Sequence, residues 1–274
     1  MIARFWGVRG TVPVPGPTTL RYGGNTSCVS VEVDGLSLVL DAGTGIRALG
    51  HALHGQPGRI AILPTHAHID HVLGFPFFKP LYEPGRVVDV VDYHAGRRHW
   101  SLLDLLDGFQ MPLSPSRLEA SIERRSPGDL TFLREFGLEV TTIPLNHPGG
   151  STGFRIAQGD AVFAYLTDNE LVGGAHRVTE FDAFVDFVRD ADVLVHDSQY
   201  LARDLPLKAG WGHSTVEQAC ELAAAAGVGQ LVIFHHDPHR TDDELDAIGV
   251  AARQQLFAHG VACTVACEGG SLTL

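Results

Sequence analysis

Apolar residues fall along this chain in short runs separated by turn residues. The runs Leu36–Leu40, Ile60–Leu63, Val87–Val91, Leu138–Ile143, Gly153–Ala157, Ala161–Leu166, Val193–Val195, Leu231–Phe234 and Val261–Ala266 are rich in β-branched or aromatic side chains and predict strands. Helical spacing appears mainly in the second half, where Phe181, Phe184, Val185 and Val188 share a face. Ser214-Thr215-Val216-Glu217 reads as a capping box, with Gly227 as the stop after a run of alanines. Thr241-Asp242-Asp243-Glu244 repeats that signature ahead of an apolar stripe at Leu245, Ile248, Ala252 and Leu256. Strands dominate early, and strands alternate with helices late. That order predicts an α/β chain built as an αββα sandwich, two packed mixed sheets with outer helices.

The 274 residues suit one large α/β domain spanning 1–274, and 45% apolar content is enough for a sizeable core. The stretch 76–127 is the least regular and is a candidate lid or substrate wall. No run of about 18 apolar residues exists, so no membrane span is expected. The opening residues lack the apolar stretch of a signal peptide, and the expectation is a cytoplasmic protein. The net charge of −12 disfavours a nucleic-acid partner, because an acidic surface repels phosphate backbones. A small anionic substrate remains compatible with it if bound cations reverse the sign locally. Four cysteines are too few for a disulfide scaffold, and Cys263 and Cys267, flanking a strand, read as buried thiols.

Fifteen histidines are the compositional anomaly. Four candidate metal ligands sit in Thr65-His66-Ala67-His68-Ile69-Asp70-His71, directly after the run Ile60–Leu63. A strand that ends in such a loop can aim imidazoles and a carboxylate at one point, a set suited to zinc, manganese or iron. His147, Asp168 and His235 each follow another strand-like run. Neighbouring strand ends converge on one rim of a sheet, where α/β proteins place their sites.

This order, H-x-H-x-D-H, then a lone His, an Asp and a His, resembles the metallo-β-lactamase-fold hydrolases over essentially the whole chain. Asp41-Ala42-Gly43-Thr44-Gly45 is similar to the family's D-x-G turn, whose Asp supports the ligand loop. The resemblance implies a site for two divalent ions, zinc first, with manganese and iron suited to the same ligands. His66, His68 and His147 would hold one ion and Asp70, His71 and His235 the other, with Asp168 bridging. His236 rivals His235, which is preferred because it directly follows the run Leu231–Phe234.

Two further elements narrow the resemblance. Gly212-His213-Ser214-Thr215 is similar to the G-H-S-T element of the ribonuclease Z and phosphodiesterase branch, which implies a proton donor or phosphate contact at His213. His196-Asp197-Ser198-Gln199-Tyr200 resembles that branch's H-E-[AS]-T-[FY], with Asp197 in place of Glu as the partner that orients His213. Ribonuclease Z enzymes carry a tRNA-gripping arm between the lone His and the bridging Asp. Here only one short hairpin fits between His147 and Asp168. The implied chemistry is hydrolysis of a small phosphodiester, for which a cyclic nucleotide is a candidate. A metal-bridging hydroxide would attack, Asp70 would orient the nucleophile or take its proton, and His213 would serve as general acid.

A lactone or thioester hydrolase is the first alternative and would not need His213. A ribonuclease Z-like RNA-processing nuclease is the second. Redox chemistry is disfavoured because di-iron relatives place Glu where this chain has His68. A binding module that has kept only the fold would be expected to have lost ligands. Relatives of the family often dimerise, so a homodimer is one option for assembly.

Overall fold

In the computed structural model, which describes residues 1–95, 98–109, 111–174 and 176–274, the chain forms fifteen strands and five α-helices among the described residues. In the first half these are β1 (Ile2–Gly7), β2 (Cys28–Val33), β3 (Leu36–Leu40), α1 (Ile46–Leu53), β4 (Arg59–Leu63), β5 (Val87–Val91), β6 (Tyr93–Ala95), β7 (Arg98–Trp100) and β8 (Ser121–Arg125). The second half adds β9 (Glu139–Leu145), β10 (Ser151–Gln158), β11 (Ala161–Leu166), α2 (Phe181–Val188), β12 (Val193–Asp197), α3 (Leu205–Lys208), α4 (Val216–Ala226), β13 (Gln230–Phe234), α5 (Asp242–Phe257), β14 (Ala262–Val265) and β15 (Ser271–Thr273).

Two mixed sheets result. One has the order β15-β1-β2-β3-β4-β5-β8 and the other β14-β13-β12-β11-β10-β9. The strands β3, β4, β5 and β8 are parallel neighbours, as are β11 to β14. The inner faces meet in a core that includes Phe5, Val31, Leu38 and Leu63 from one sheet and Phe154, Phe163, Tyr165 and Phe234 from the other. A second core packs α2, α4 and α5 on the outer face of the six-stranded sheet through Phe184, Leu222, Ile233 and Leu256. A third covers the seven-stranded sheet with Ile46, Leu49, Phe75 and Phe78. This is the αββα sandwich. Burying each such side chain stabilises the fold by about 1.5–3 kcal/mol before entropy is counted.

Local chemistry sets the element ends. Thr241 caps α5 as its pattern predicts, accepting from the Glu244 N–H while Glu244 accepts from the Thr241 N–H. In α4 the cap falls one residue later than predicted. Thr215 and Gln218 form the box, because the Ser214 hydroxyl is engaged elsewhere, donating to the Asn169 carbonyl and accepting from the Leu171 N–H. Gly227, at φ 65°, ends α4 in the left-handed conformation that glycine adopts without a Cβ penalty. All four cysteines are free. Cys28, Cys220 and Cys263 are buried and Cys267 is half-buried.

The stretch 76–127 supplies β5 and β8 to the seven-stranded sheet and the separate hairpin β6–β7. Within it Gly96, Arg97 and Gln110 lie outside the described residues. Among the described residues no helix is long and apolar enough to cross a membrane.

Candidate metal centre

Strand ends from both sheets meet at one rim. Asp41 follows β3, the 65–71 loop follows β4, Asn146 and His147 follow β9, and Asp168 lies two residues past β11. Asp197 ends β12, and His235 follows β13. Three of these residues sit in the left-handed region, Asp41 (φ 63°), Asp168 (φ 59°) and His235 (φ 59°). For non-glycine residues that conformation costs of order 1–2 kcal/mol each. The sandwich thus imposes backbone strain where the side chains must turn inward.

The structure brings together all seven ligand candidates in two groups. His66, His68, His147 and Asp168 form one, and Asp70, His71 and His235 the other, with the potential donor atoms of each group within 4.8 Å of one another. Asp168 lies between them. Its Oδ1 is 3.7 Å from His66 Nε2 and 3.6 Å from His147 Nε2, and its Oδ2 is 3.0 Å from His71 Nε2 and 3.2 Å from His235 Nε2. His236 faces elsewhere, its Nε2–H donating to the Ala266 carbonyl at 2.8 Å.

Hydrogen bonds fix which nitrogens carry lone pairs into the cluster. His147 Nδ1–H donates to the Gly212 carbonyl (2.8 Å), leaving Nε2 to face His68 Nδ1 at 3.0 Å. His71 Nδ1–H donates to Asp41 Oδ2 (2.9 Å). Thr65 donates its hydroxyl to Asp41 Oδ1 and lies 3.0 Å from His66 Nδ1, from which its oxygen accepts. Asp41 also accepts from the Thr65 N–H and from the Tyr165 hydroxyl. This buried carboxylate therefore orients two imidazoles from outside both groups of ligand candidates.

The electrostatics fit a cation site. Burial lowers the pKa of His66 and His68 and takes His147 down to about 4, so all three are neutral donors. His66 Nε2 is buried with no hydrogen-bond partner. An orphaned lone pair of this kind is costly unless a cation takes it. Burial opposes charge on His71, yet Asp168, Asp70 and Asp41 press its pKa well above the usual value. Burial also opposes charge on Asp70, but His71 and hydrogen bonds from His235 and His71 hold its carboxyl well below the usual range. Two carboxylates and five inward imidazoles packed together are a donor set suited to a divalent-metal site.

His213 and Asp197 stand at its edge. His213 Nδ1–H donates to Asp197 Oδ2 at 2.6 Å, and the His213 ring stacks on His235 with centroids 5.1 Å apart. Burial disfavours its charged form, but the Asp197 charge and hydrogen bond, aided by Asp168 and Asp70, push the imidazole up to about 9. Asp197 is itself fixed by the Asn169 and Gln199 N–H groups.

Several supporting residues carry no motif signal. The buried Glu170 carboxylate accepts from the Gly210 and Gly212 N–H groups, holding the turn that presents both the His147 acceptor and His213. The Thr11 N–H donates to Asp70 Oδ2 at 2.6 Å. Gly10 lies against His235, where an added Cβ would come within 2.5 Å of the ring. Two grooves of about 500 Å³ elsewhere on the surface, one beside Trp6 and Gln56 and one between α4 and α5, lack such a cluster. A cleft of about 350 Å³ opens beside His66 and His68.

Residues 37–236 match the Beta-lactamase superfamily domain, and the chain belongs to that family. It is a hydrolase with the metallo-β-lactamase fold and a histidine and aspartate cluster able to bind metal. Ribonuclease Z of Bradyrhizobium diazoefficiens is 27% identical over 264 residues, covering 81% of this chain and 87% of that protein. Among solved structures, a diphosphatase from the PhnP family superposes with a TM-score of 0.69 at 21% identity, covering 100% of this chain and 97% of that one. The short form of human tRNase Z superposes at 0.67 and 19%, covering 100% and 99%. The ribonuclease relative means that the acidic charge alone does not exclude RNA as a partner.

Proposed function

We propose that this chain is a binuclear metal-dependent phosphodiesterase acting on a small anionic phosphodiester, with a cyclic nucleotide as a candidate. The observation that carries this reading is the 2.6 Å His213–Asp197 pair beside the seven-ligand cluster. A carbonyl hydrolase has no need of a second, carboxylate-backed imidazole. A phosphodiesterase needs a group to protonate its leaving oxygen.

His66, His68 and His147 would hold one ion and Asp70, His71 and His235 the second, with Asp168 placed to serve both. Zinc is the ion this ligand set favours first. When bound, the pair of ions would activate water at neutral pH and neutralise phosphoryl charge. Asp70 orients the nucleophile and can take its proton, itself steadied by the Thr11 N–H. With Nδ1 engaged by Asp197, the transferable proton of His213 is on Nε2, and it goes to the departing oxygen. Asp197 keeps the ring oriented and stabilises its charged form.

Pre-tRNA is not the substrate in this reading. Strands β10 and β11 pair from Phe154↔Tyr165 to Gln158↔Ala161, leaving a two-residue turn at Gly159-Asp160 and no room for an arm. The hairpin β6–β7 acts instead as a wall of the cleft beside His66 and His68.

Bis-p-nitrophenyl phosphate, a cyclic nucleotide, a lactone and a thioester should be offered to metal-reconstituted protein, with His66→Ala and His213→Ala alongside. Diester cleavage that vanishes in His66→Ala is the expected result. With the cyclic nucleotide, whose alkoxide must be protonated as it leaves, His213→Ala should cost about 10²–10⁴-fold, against a far smaller loss on the p-nitrophenyl ester. Cleavage of the lactone or thioester alone, at full rate in His213→Ala, would replace the phosphodiesterase reading with the carbonyl one.

A further inference from the structure

The cleft of about 350 Å³ is bounded by His66 and His68 on one side and by Tyr93, Trp100, Gly149 and Gly150 on the others. Tyr93 and Trp100 are directly opposed partners in the β6–β7 hairpin. Opposed residues of an antiparallel pair project from the same face, so the two aromatic side chains form one wall. The facing surface is bare backbone. Gly149 (φ 84°) and Gly150 (φ 86°) both adopt the left-handed conformation, and a Cβ on Gly150 would lie 3.1 Å from the Tyr93 hydroxyl.

The wall is held in place. The Tyr93 hydroxyl donates to the Gly150 carbonyl at 2.7 Å, tying the aromatic side to the glycine side. Asp92, at the root of the hairpin, accepts from Arg124 Nε at 2.6 Å and lies 3.1 Å from His99 Nε2. With its hydroxyl spent on Gly150, Tyr93 offers only its ring. Trp100 is half-buried and keeps part of its surface open to the cleft. Among the described residues the slot has aromatic walls, a glycine floor and no charged group other than the candidate ligands, a lining that selects a flat, uncharged ring system.

Resting on the phosphodiesterase reading above, we infer that Trp100 and Tyr93 form a subsite for a planar aromatic substituent of the substrate, a nucleobase or aryl group, with Trp100 as the specificity-determining residue. The phosphodiester group lies at the metals and the ring it carries enters the slot. Stacking on an aromatic side chain is sequence-tolerant, because every base has a π-face. The subsite therefore selects for a base without choosing among bases.

The test measures hydrolysis of bis-p-nitrophenyl phosphate by metal-loaded wild type, Trp100→Ala, Trp100→Leu and Trp100→Phe. Trp100→Ala and Trp100→Leu should raise KM for the diaryl ester by roughly 5–150-fold with kcat unchanged. Trp100→Phe should restore most of the loss. Equal KM values, or rescue by Leu as complete as by Phe, would reduce Trp100 to a packing residue and overturn the subsite. Leu and Phe carry the comparison if the alanine variant does not fold. A second arm needs no turnover, namely calorimetric titration of metal-loaded protein with adenosine 5′-monophosphate and with ribose 5-phosphate. Wild type should prefer the nucleotide and Trp100→Leu should not. Equal binding by wild type would overturn the subsite even where diesters are cleaved. If no diester is cleaved but the nucleotide preference holds, the phosphodiesterase reading falls and the aromatic subsite stands.

Discussion

The two halves of the sandwich supply the candidate metal centre in different ways. In the seven-stranded half, one loop after β4 provides four of the seven ligand candidates within six residues, His66 to His71. The left-handed residues there, Asp41 and Thr11, are supports for that loop, Asp41 accepting from Thr65 and His71 and the Thr11 N–H donating to Asp70. In the six-stranded half three separate strand ends give one ligand candidate each, and two of those candidates, Asp168 and His235, are themselves left-handed. A contiguous loop can satisfy its geometry by local turns. Isolated ligands must be turned inward by the backbone, and the surrounding fold has to offset that strain.

The largest expected effect comes from the residue that joins the halves. Asp168→Ala should cut activity by about 10³-fold or more, since ligands acting as a unit fail together. Hydrolysis rates at saturating metal would check this. A loss comparable to that of a single outer ligand would show the two groups working independently.

Next is the support on the first side. Asp41→Asn should weaken metal affinity about 10–100-fold, because the acceptor that sets the His71 and His66 tautomers is impaired. Titration with zinc against a competing chelator would read it, and excess metal should restore much of the rate. Glu170→Gln should act likewise on the second side, by facing an amide N–H toward the Gly210 or Gly212 N–H. Its effect should appear in both metal affinity and kcat, because that turn presents His213 as well as the His147 acceptor.

Strain away from the site should behave differently. Asp190, exposed and left-handed at φ 55° after α2, has no ligand role. Asp190→Gly should stabilise the chain by roughly 0.5–1 kcal/mol with kcat unchanged. A drop in activity there would mean that strain is not partitioned as the comparison holds.

The smallest effect concerns the clamp on the N-terminal loop. Asp246 is exposed, and hydrogen bonds from Tyr22 and Arg21 lower its pKa. A depressed carboxylate stabilises above its unfolded value of 3.8, and that contribution is lost as pH falls through its lower folded value. Wild type should therefore lose a small stability advantage over Asp246→Asn below about pH 4, read by urea midpoints at pH 3 and 6.

The same contrast explains what the sequence made legible. H-x-H-x-D-H can be read directly, because its ligands are neighbours. His147, Asp168 and His235 could be placed only by reading the strand runs before them. The inward-facing strands β3, β4, β11 and β13 announce themselves as apolar runs. Strand β8, Ser-Ile-Glu-Arg-Arg, lies at the edge of its sheet and carries no such run. Strand β1 alternates, with Arg4 and Trp6 on the outer face. Glu170, Gly10 and the Tyr93–Trp100 wall act through contacts distant in sequence, which no local pattern encodes. The α4 cap slipped by one residue because Ser214 and Thr215 are both good caps, and a tertiary partner for Ser214 decided between them.

The most direct test of a shared two-ion centre is metal content per chain after dialysis against zinc, in wild type, His66→Ala and His235→Ala. Two ions in wild type and no more than one in each variant is the result predicted. One ion in wild type, or two retained in His235→Ala, would contradict a centre assembled from both halves.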